Sequence, residues 1–123
     1  MKTIFVVEPD AVLSKAYASA IEANGLIVYK FRTASLAVKA LEKMVPDLIV
    51  LELAMPVHNG FELLYELLSY SDTRKIKVVV NSFVQSVNIP WGFINRGDMN
   101  IVEYLYKPLS QIDDVTRAVR EYA

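Results

Sequence analysis

Polar side chains stand at the ends of apolar runs in this 123-residue sequence, where the strands of a sheet would end. The five residues are Glu8, Asp10, Glu52, Ser82 and Lys107. In an open parallel sheet, ligands bind beyond the carboxyl ends of the strands. Carboxylates, a hydroxyl and a lysine meeting at that edge would form a polar ligand site. Any one of them is explained equally well as an ordinary loop residue, so the interpretation depends on four strand ends being polar at once.

The elements that must position these residues alternate between strand and helix. Segments 4–7, 26–31, 47–52, 78–80 and 104–106 predict strands. The apolar residues at 4–7, 48–51 and 78–80 are unbroken, which is typical of strands buried on both faces. Helical spacing follows most of these runs, with Asp10, Thr33 and Ser110 as predicted N-caps. Pro90 interrupts the fourth helical segment, so we expect a short or broken helix near it. The alternation predicts an α/β three-layer sandwich with a parallel sheet and helices on both faces.

Composition excludes several functional classes. A chain of this length forms one domain, residues 1–123, and its 54% hydrophobic content excludes disorder. The sequence has no cysteine, which excludes disulfides, thiol catalysis and cysteine-ligated metals. The net charge of −1 argues against binding nucleic acid through this domain. No apolar run is long enough to span a membrane, and we expect a cytoplasmic location.

Three short motifs occur in a fixed order along the chain: VVEPD at 6–10, PDLIVLELAMP at 46–56 followed by NGFEL at 59–63, and EYLYKPL at 103–109. Together they resemble the receiver domain of two-component response regulators. The second motif resembles the central signature of that family, the third its C-terminal signature, and the first its acidic turn less well. The resemblance covers nearly the whole chain. It implies a CheY-like, flavodoxin-like strand order of 2-1-3-4-5 and a role in phosphorelay signalling.

The resemblance also implies a role for individual residues. Lys107 would contact a phosphoryl group or its substitute, Ser82 would be the switch hydroxyl, and Tyr104 the switch aromatic. The peptide bond between Lys107 and Pro108 is expected to be cis. The family uses helix four, strand five and helix five as a common partner surface, which makes Trp91, Phe93 and Tyr104 candidates for contacting a protein partner. Trp91 and Phe93 are explained equally well as packing around a broken helix.

Three departures from the family pattern weaken the phosphorylation site. Glu52 occupies the position of the phosphoacceptor aspartate, and Pro9 replaces one of the two adjacent acids that hold Mg²⁺. Glu8, Asp10 and Glu52 are left as metal ligands that bind weakly or not at all, since Mg²⁺ needs well-placed oxygens. Phe83 stands where the family has a small residue, and we expect its ring to fill the volume of the phosphoryl group. The protein therefore requires no cofactor, and Mg²⁺ binding is at most weak.

These departures predict an atypical receiver, or pseudo-receiver, that binds a signalling protein or histidine kinase and is not an enzyme. Glu52 then either supplies a fixed charge that holds one signalling state or only satisfies Lys107 at an inert site. A working Mg²⁺-dependent phosphoacceptor is the alternative. A small flavodoxin-like cofactor-binding protein is a second alternative, disfavoured because the turn after the first strand is acidic and lacks a glycine-rich phosphate loop.

Overall fold

Five parallel strands form one sheet whose ends define the candidate site. The computed structural model describes residues 1–55, 59–89 and 99–123. The strand order is β2-β1-β3-β4-β5, which confirms the predicted flavodoxin-like sheet. The strands are β1 Thr3–Val7, β2 Ile27–Phe31, β3 Leu48–Leu51, β4 Lys77–Ser82 and β5 Ile101–Tyr106.

Helices cover both faces of this sheet. Within the described ranges they are α1 Ala11–Glu22, α2 Ala34–Leu41, α3 Gly60–Leu68 and α4 Ile112–Tyr122, with short 3₁₀ helices at Ser86–Asn88 and Lys107–Leu109. Alternate residues of each strand face opposite layers. Phe5 and Val7 pack in the layer of α2 and α3, whereas Ile4 and Val6 pack with α1 and α4. The strands β1, β3 and β4 are buried on both faces, as their apolar runs predict, whereas the edge strands β2 and β5 are exposed or half-buried. None of the described helices combines the length and apolarity that a membrane span requires.

The helix caps agree with the sequence prediction at two of three positions. Asp10 Oδ1 accepts a hydrogen bond from the backbone N–H of Leu13 at 2.9 Å, and Thr33 caps α2 in the same way. The prediction of Ser110 as a cap was wrong. Gln111 is the N-cap of α4, in a capping box with Asp114. Ser110 instead ends the preceding 3₁₀ helix.

Two further predictions concern the segment between β4 and α4. Between residues 83 and 89 the structure contains only the 3₁₀ helix Ser86–Asn88. The rest of the predicted fourth helix, from Pro90 onward, lies outside the described residues. The expectation of a cis bond before Pro108 was wrong, since that bond is trans. Pro108 lies in the first turn of a 3₁₀ helix, where its fixed φ angle and missing N–H are tolerated.

Gly60 shows how closely α3 approaches the end of β3. A Cβ atom at this position would lie 2.8 Å from Leu53 Cα and 2.9 Å from the Glu52 carbonyl oxygen, both of them backbone atoms. Replacing Gly60 with alanine should therefore lower the free energy of unfolding by about 1–3 kcal/mol, because the backbone has to move apart. Urea denaturation measures this change.

Gly25 provides the control for this prediction. It has a φ of +81°, but no atom lies within 4 Å of its ideal Cβ position. Asparagine tolerates the left-handed region, so Gly25→Asn should cost less than about 1 kcal/mol. Equal losses in the two variants would contradict the close approach at Gly60.

Candidate functional site at the carboxyl edge of the sheet

Three strand ends bring Glu8, Glu52 and Lys107 into contact. Glu8 directly follows β1, Glu52 follows β3 and Lys107 follows β5. Lys107 Nζ lies 2.8 Å from Glu52 Oε1 and also donates a hydrogen bond to Glu8 Oε1. The three side chains are only 4%, 1% and 4% exposed for Lys107, Glu52 and Glu8. We call this arrangement the Glu8–Lys107–Glu52 cluster.

The cluster places one ammonium between two carboxylates. Burial by itself lowers the pKa of Lys107, but hydrogen bonds and charge attraction from Glu52 and Glu8 outweigh burial and raise that pKa above its ordinary 10.5. Lys107 is therefore charged at neutral pH. Buried ions need both a counter-charge and hydrogen bonds, and each carboxylate here meets the same ammonium.

Glu52 makes further hydrogen bonds that join it to two loops. Its Oε2 accepts from the backbone N–H of Ala54 at 3.0 Å, and its Oε1 accepts from that of Phe83 at 3.1 Å. Both carboxylate oxygens are thus engaged, and one of them holds the first residue after β4. The sequence predicted the contact with Lys107 but not the bond to Phe83, since backbone donors carry no signal in side-chain identity.

Ser82 and Tyr104 also form hydrogen bonds to the loop after β4, both of them at Val84. The Ser82 hydroxyl accepts from the backbone N–H of Val84 at 3.1 Å, and the Tyr104 hydroxyl donates to the Val84 carbonyl oxygen. Burial raises the pKa of Tyr104, a hydrogen bond with Ser82 opposes that rise, and the charge of Glu52 adds to it. One short loop therefore connects Glu52 with Tyr104.

The position of the Phe83 ring differs from the expectation that the ring would fill the volume of a phosphoryl group. Its ring does not fill the interior of the site, because the residue is 59% exposed. The ring centroid instead lies 4.7 Å from Lys107 Nζ, close enough for a cation–π contact. Phe83 thus covers the ammonium from outside while its backbone contacts Glu52.

The Asp10 side chain caps a helix, and only its backbone contacts the cluster. Its carboxylate caps α1, and its backbone N–H donates to Glu8 Oε2 at 3.0 Å. The carbonyl oxygen of Pro9 accepts from the Arg32 guanidinium. Across the described parts of the chain, no three histidine, cysteine or acidic side chains are grouped to hold a metal ion. The residues do not fit Mg²⁺, since an ammonium already lies between Glu8 and Glu52 and the third carboxylate serves as a cap.

The buried side chain of Asn81, which with Ser82 ends β4, has surroundings that the sequence did not predict. Asn81 is 1% exposed, and its Oδ1 accepts a hydrogen bond from Ser110 Oγ at 3.4 Å. Burial raises the pKa of Tyr17, while the neighbouring Asn81 side chain and the charge of Lys107 oppose that rise. Within the described residues, Asn81 Nδ2 and Ser14 Oγ are buried without a hydrogen-bond partner. Tyr17 lies at helical spacing from Leu13, so the sequence suggested only packing.

The predicted partner surface is described at one of its three residues. Tyr104 is partly buried on β5 and bonded to the loop after β4. Trp91 and Phe93 lie outside the described residues.

The sheet order and the charged cluster at its carboxyl edge agree with one family. Residues 4–120 match the model described as "Response regulator receiver domain", and the chain belongs to this family. It is thus a receiver domain of two-component signalling, a class of signalling module that interacts with other signalling proteins.

Particular relatives are similar over most of the chain. The protein described as "Probable transcriptional regulator ycf29" from Pyropia yezoensis is 32% identical over 105 residues, which cover 85% of this chain and 46% of that protein. The chain thus spans about half the length of this curated relative.

Solved structures share the fold at lower identity. Response regulator TrrA from Thermotoga maritima, in complex with Mg(2+)-BeF, has a TM-score of 0.81 at 18% identity and full coverage of both chains (100%). The receiver domain of a sensor histidine kinase from Pseudomonas aeruginosa, with a magnesium ion in its active site cleft, has a TM-score of 0.79 at 17% identity, covering 98% of this chain and 96% of that one.

Removing the ammonium should strongly destabilise the fold. Lys107→Met leaves two carboxylates buried without a cation, so the free energy of unfolding at pH 7 should fall by about 3–5 kcal/mol. Lys15 is an exposed lysine on α1, and Lys15→Met should change it by less than about 0.5 kcal/mol. Similar losses in both variants, measured by urea denaturation, would contradict a structural role for the cluster.

Alkaline pH provides a second test of the same interaction. Because the folded pKa of Lys107 lies above 10.5, the folded state keeps this proton when the unfolded state loses it. The stabilisation is fully present below pH 10.5 and is lost as pH rises through the folded pKa. The difference in unfolding free energy between wild type and Lys107→Met should therefore shrink above pH 10.5. A constant difference would contradict the raised pKa.

Proposed function

We propose that this receiver domain signals by binding another protein in a conformation held by Glu52 and not set by phosphorylation. The observation that supports this proposal is the dual contact of one carboxylate oxygen. Glu52 Oε1 accepts from both Lys107 Nζ and the Phe83 backbone N–H. A negative charge that reaches both groups without a phosphate supplies permanently what a phosphorylated residue would supply transiently.

The position and the hydrogen bonds of the Glu52 carboxylate are unfavourable for phosphoryl transfer. Glutamate is one methylene longer than aspartate, which displaces the carboxylate by about 1.3 Å, and displacements near 1 Å cost on the order of 10²-fold in such reactions. Each oxygen of Glu52 already accepts hydrogen bonds. Phosphoryl transfer depends on positioning and on neutralising charge with Mg²⁺. Asp10, which would have to help hold that ion, is committed to capping α1.

The hydrogen bond between Phe83 and Glu52 constrains the conformation of the loop after β4. The bond from Phe83 to Glu52 fixes one end of the peptide segment whose Val84 carbonyl accepts from Tyr104. Any change at Glu52 that releases Phe83 would alter the acceptor of the Tyr104 hydroxyl. This coupling favours a switch held in one state over an inert site, in which Glu52 would serve only to neutralise Lys107.

The partner in this proposal is a signalling protein or a histidine kinase in the cytoplasm. The domain catalyses no reaction of its own. Tyr104 would lie at the surface that the partner contacts, together with Trp91 and Phe93.

Glu52→Gln tests the switch, with Glu8→Gln as a matched control. Each substitution removes one negative charge from the same ammonium, but only Glu52 bonds to the loop after β4. Glutamine has one acceptor oxygen for the donors that now share two, so the bond to Phe83 or Ala54 is lost. We expect large shifts of the Phe83, Val84 and Tyr104 amide resonances in Glu52→Gln.

The control separates the two roles of Glu52. In Glu8→Gln these three resonances should move much less. If both variants shift them equally, or neither does, Glu52 only neutralises Lys107 and the proposed coupling is wrong.

Beryllofluoride with Mg²⁺, or acetyl phosphate with Mg²⁺, tests the phosphoacceptor alternative. The wild-type chain should show neither fluoride-dependent NMR shifts nor a mass gain of one phosphoryl group. The double variant Pro9→Asp/Glu52→Asp restores the acid and the shorter acceptor, and fluoride-dependent shifts should appear in it. Phosphorylation or fluoride-dependent shifts in the wild type would overturn the proposal.

A further inference from the structure

A groove runs between α2 and α3, on the layer of the sheet that does not contain α4. Its larger recess, of about 340 Å³, is lined by apolar Val38, Leu41 and Tyr70 and by acidic Glu42, Glu66 and Asp72. A second recess of about 240 Å³ continues along the same helices and shares Val38 and Glu66 with the first. The two recesses therefore form one elongated groove, which we call the α2–α3 groove.

The charge of this groove has one sign. The larger recess has three carboxylates in its lining and no lysine, arginine or histidine. Among the described residues, Glu42, Glu66 and Asp72 form no ion pair with a basic side chain. The whole chain has a net charge of only −1, so this local excess does not follow from composition.

The apolar part of the groove distinguishes it from a solvated acidic surface. The Tyr70 side chain lies at its rim and is 58% exposed, which leaves the ring available for contact. Val38 and Leu41 are partly buried and close the groove from the α2 side. Apolar area beside carboxylates matches a ligand that is itself apolar on one side and cationic at its edges.

We infer that the α2–α3 groove binds a basic amphipathic helix of a partner protein. Helix α2 has 8 residues and α3 has 9, so the groove is roughly 12–14 Å long, which corresponds to between two and three helical turns. Helices bind in such grooves through apolar side chains spaced three and four residues apart. Lysine or arginine side chains on the flanks of that helix would pair with Glu42, Glu66 and Asp72.

The inference rests on residues distinct from those of the proposed function. Glu52, Phe83 and Tyr104 do not line either recess. Because the two recesses share Val38 and Glu66 and extend along the same helices, an elongated ligand fits them better than a small one. The net negative charge of the lining disfavours an acidic peptide.

A designed helical peptide of leucine and lysine at helical spacing is a suitable probe, with a counterpart that has glutamate in place of lysine. Titration calorimetry measures affinity, and amide NMR shifts locate the site. The lysine peptide should bind and shift resonances of α2, α3 and the segment 70–73, with affinity that falls as salt is raised. The glutamate peptide should not bind.

Substitutions show whether the groove itself is responsible. Glu66→Gln and Glu42→Gln should each weaken binding by about two- to fivefold, which is the usual range for an exposed charge pair. Tyr70→Ser should also weaken it, because the groove loses apolar area without loss of a buried side chain. Glu22→Gln, an exposed glutamate at the end of α1, should leave affinity unchanged.

Three results would overturn the inference. Equal weakening by Glu22→Gln and Glu66→Gln would show that the peptide responds only to overall charge. Shifts centred on α1 or α4 would place the binding site elsewhere. Concentration-dependent self-association that Tyr70→Ser abolishes would show that a second copy of this chain occupies the groove.

Discussion

The buried ammonium of Lys107 is the interaction on which the carboxyl edge of this sheet depends. Two carboxylates from the ends of β1 and β3 reach the same nitrogen, and all three side chains are almost entirely excluded from solvent. A charge in such surroundings is tolerated only when it is paired and hydrogen-bonded. The cluster therefore joins the ends of three strands that are far apart in sequence.

Glu52 also links the cluster to two loops, because its carboxylate accepts hydrogen bonds from backbone N–H groups as well as from Lys107. An ion pair with Lys107 would require only one oxygen, yet Glu52 also accepts from the backbone of Ala54 and Phe83. Backbone donors cannot move independently of their loops. The carboxylate of Glu52 is thus joined by hydrogen bonds to the loop after β4, whose Val84 carbonyl accepts from Tyr104.

The two faces of the sheet have different chemistry outside the core. On one face α1 and α4 pack together, and the buried polar side chains of Tyr17 and Asn81 lie near the cluster. On the other face, α2 and α3 are short and leave a groove with acidic edges. The family fold thus positions one site at the strand ends, while the lengths and side chains of α2 and α3 form a separate surface.

The sequence by itself determined the positions of the strands and most helix starts, because apolar runs and capping side chains act over a few residues, and it placed Glu8, Glu52 and Lys107 at strand ends. The tertiary structure decided what those residues do. Lys107 lies between Glu8 and Glu52, Asp10 caps α1, and the ring of Phe83 covers the ammonium from outside. These outcomes depend on distances between strand ends and on backbone donors, which the spacing of residue types along a chain does not encode.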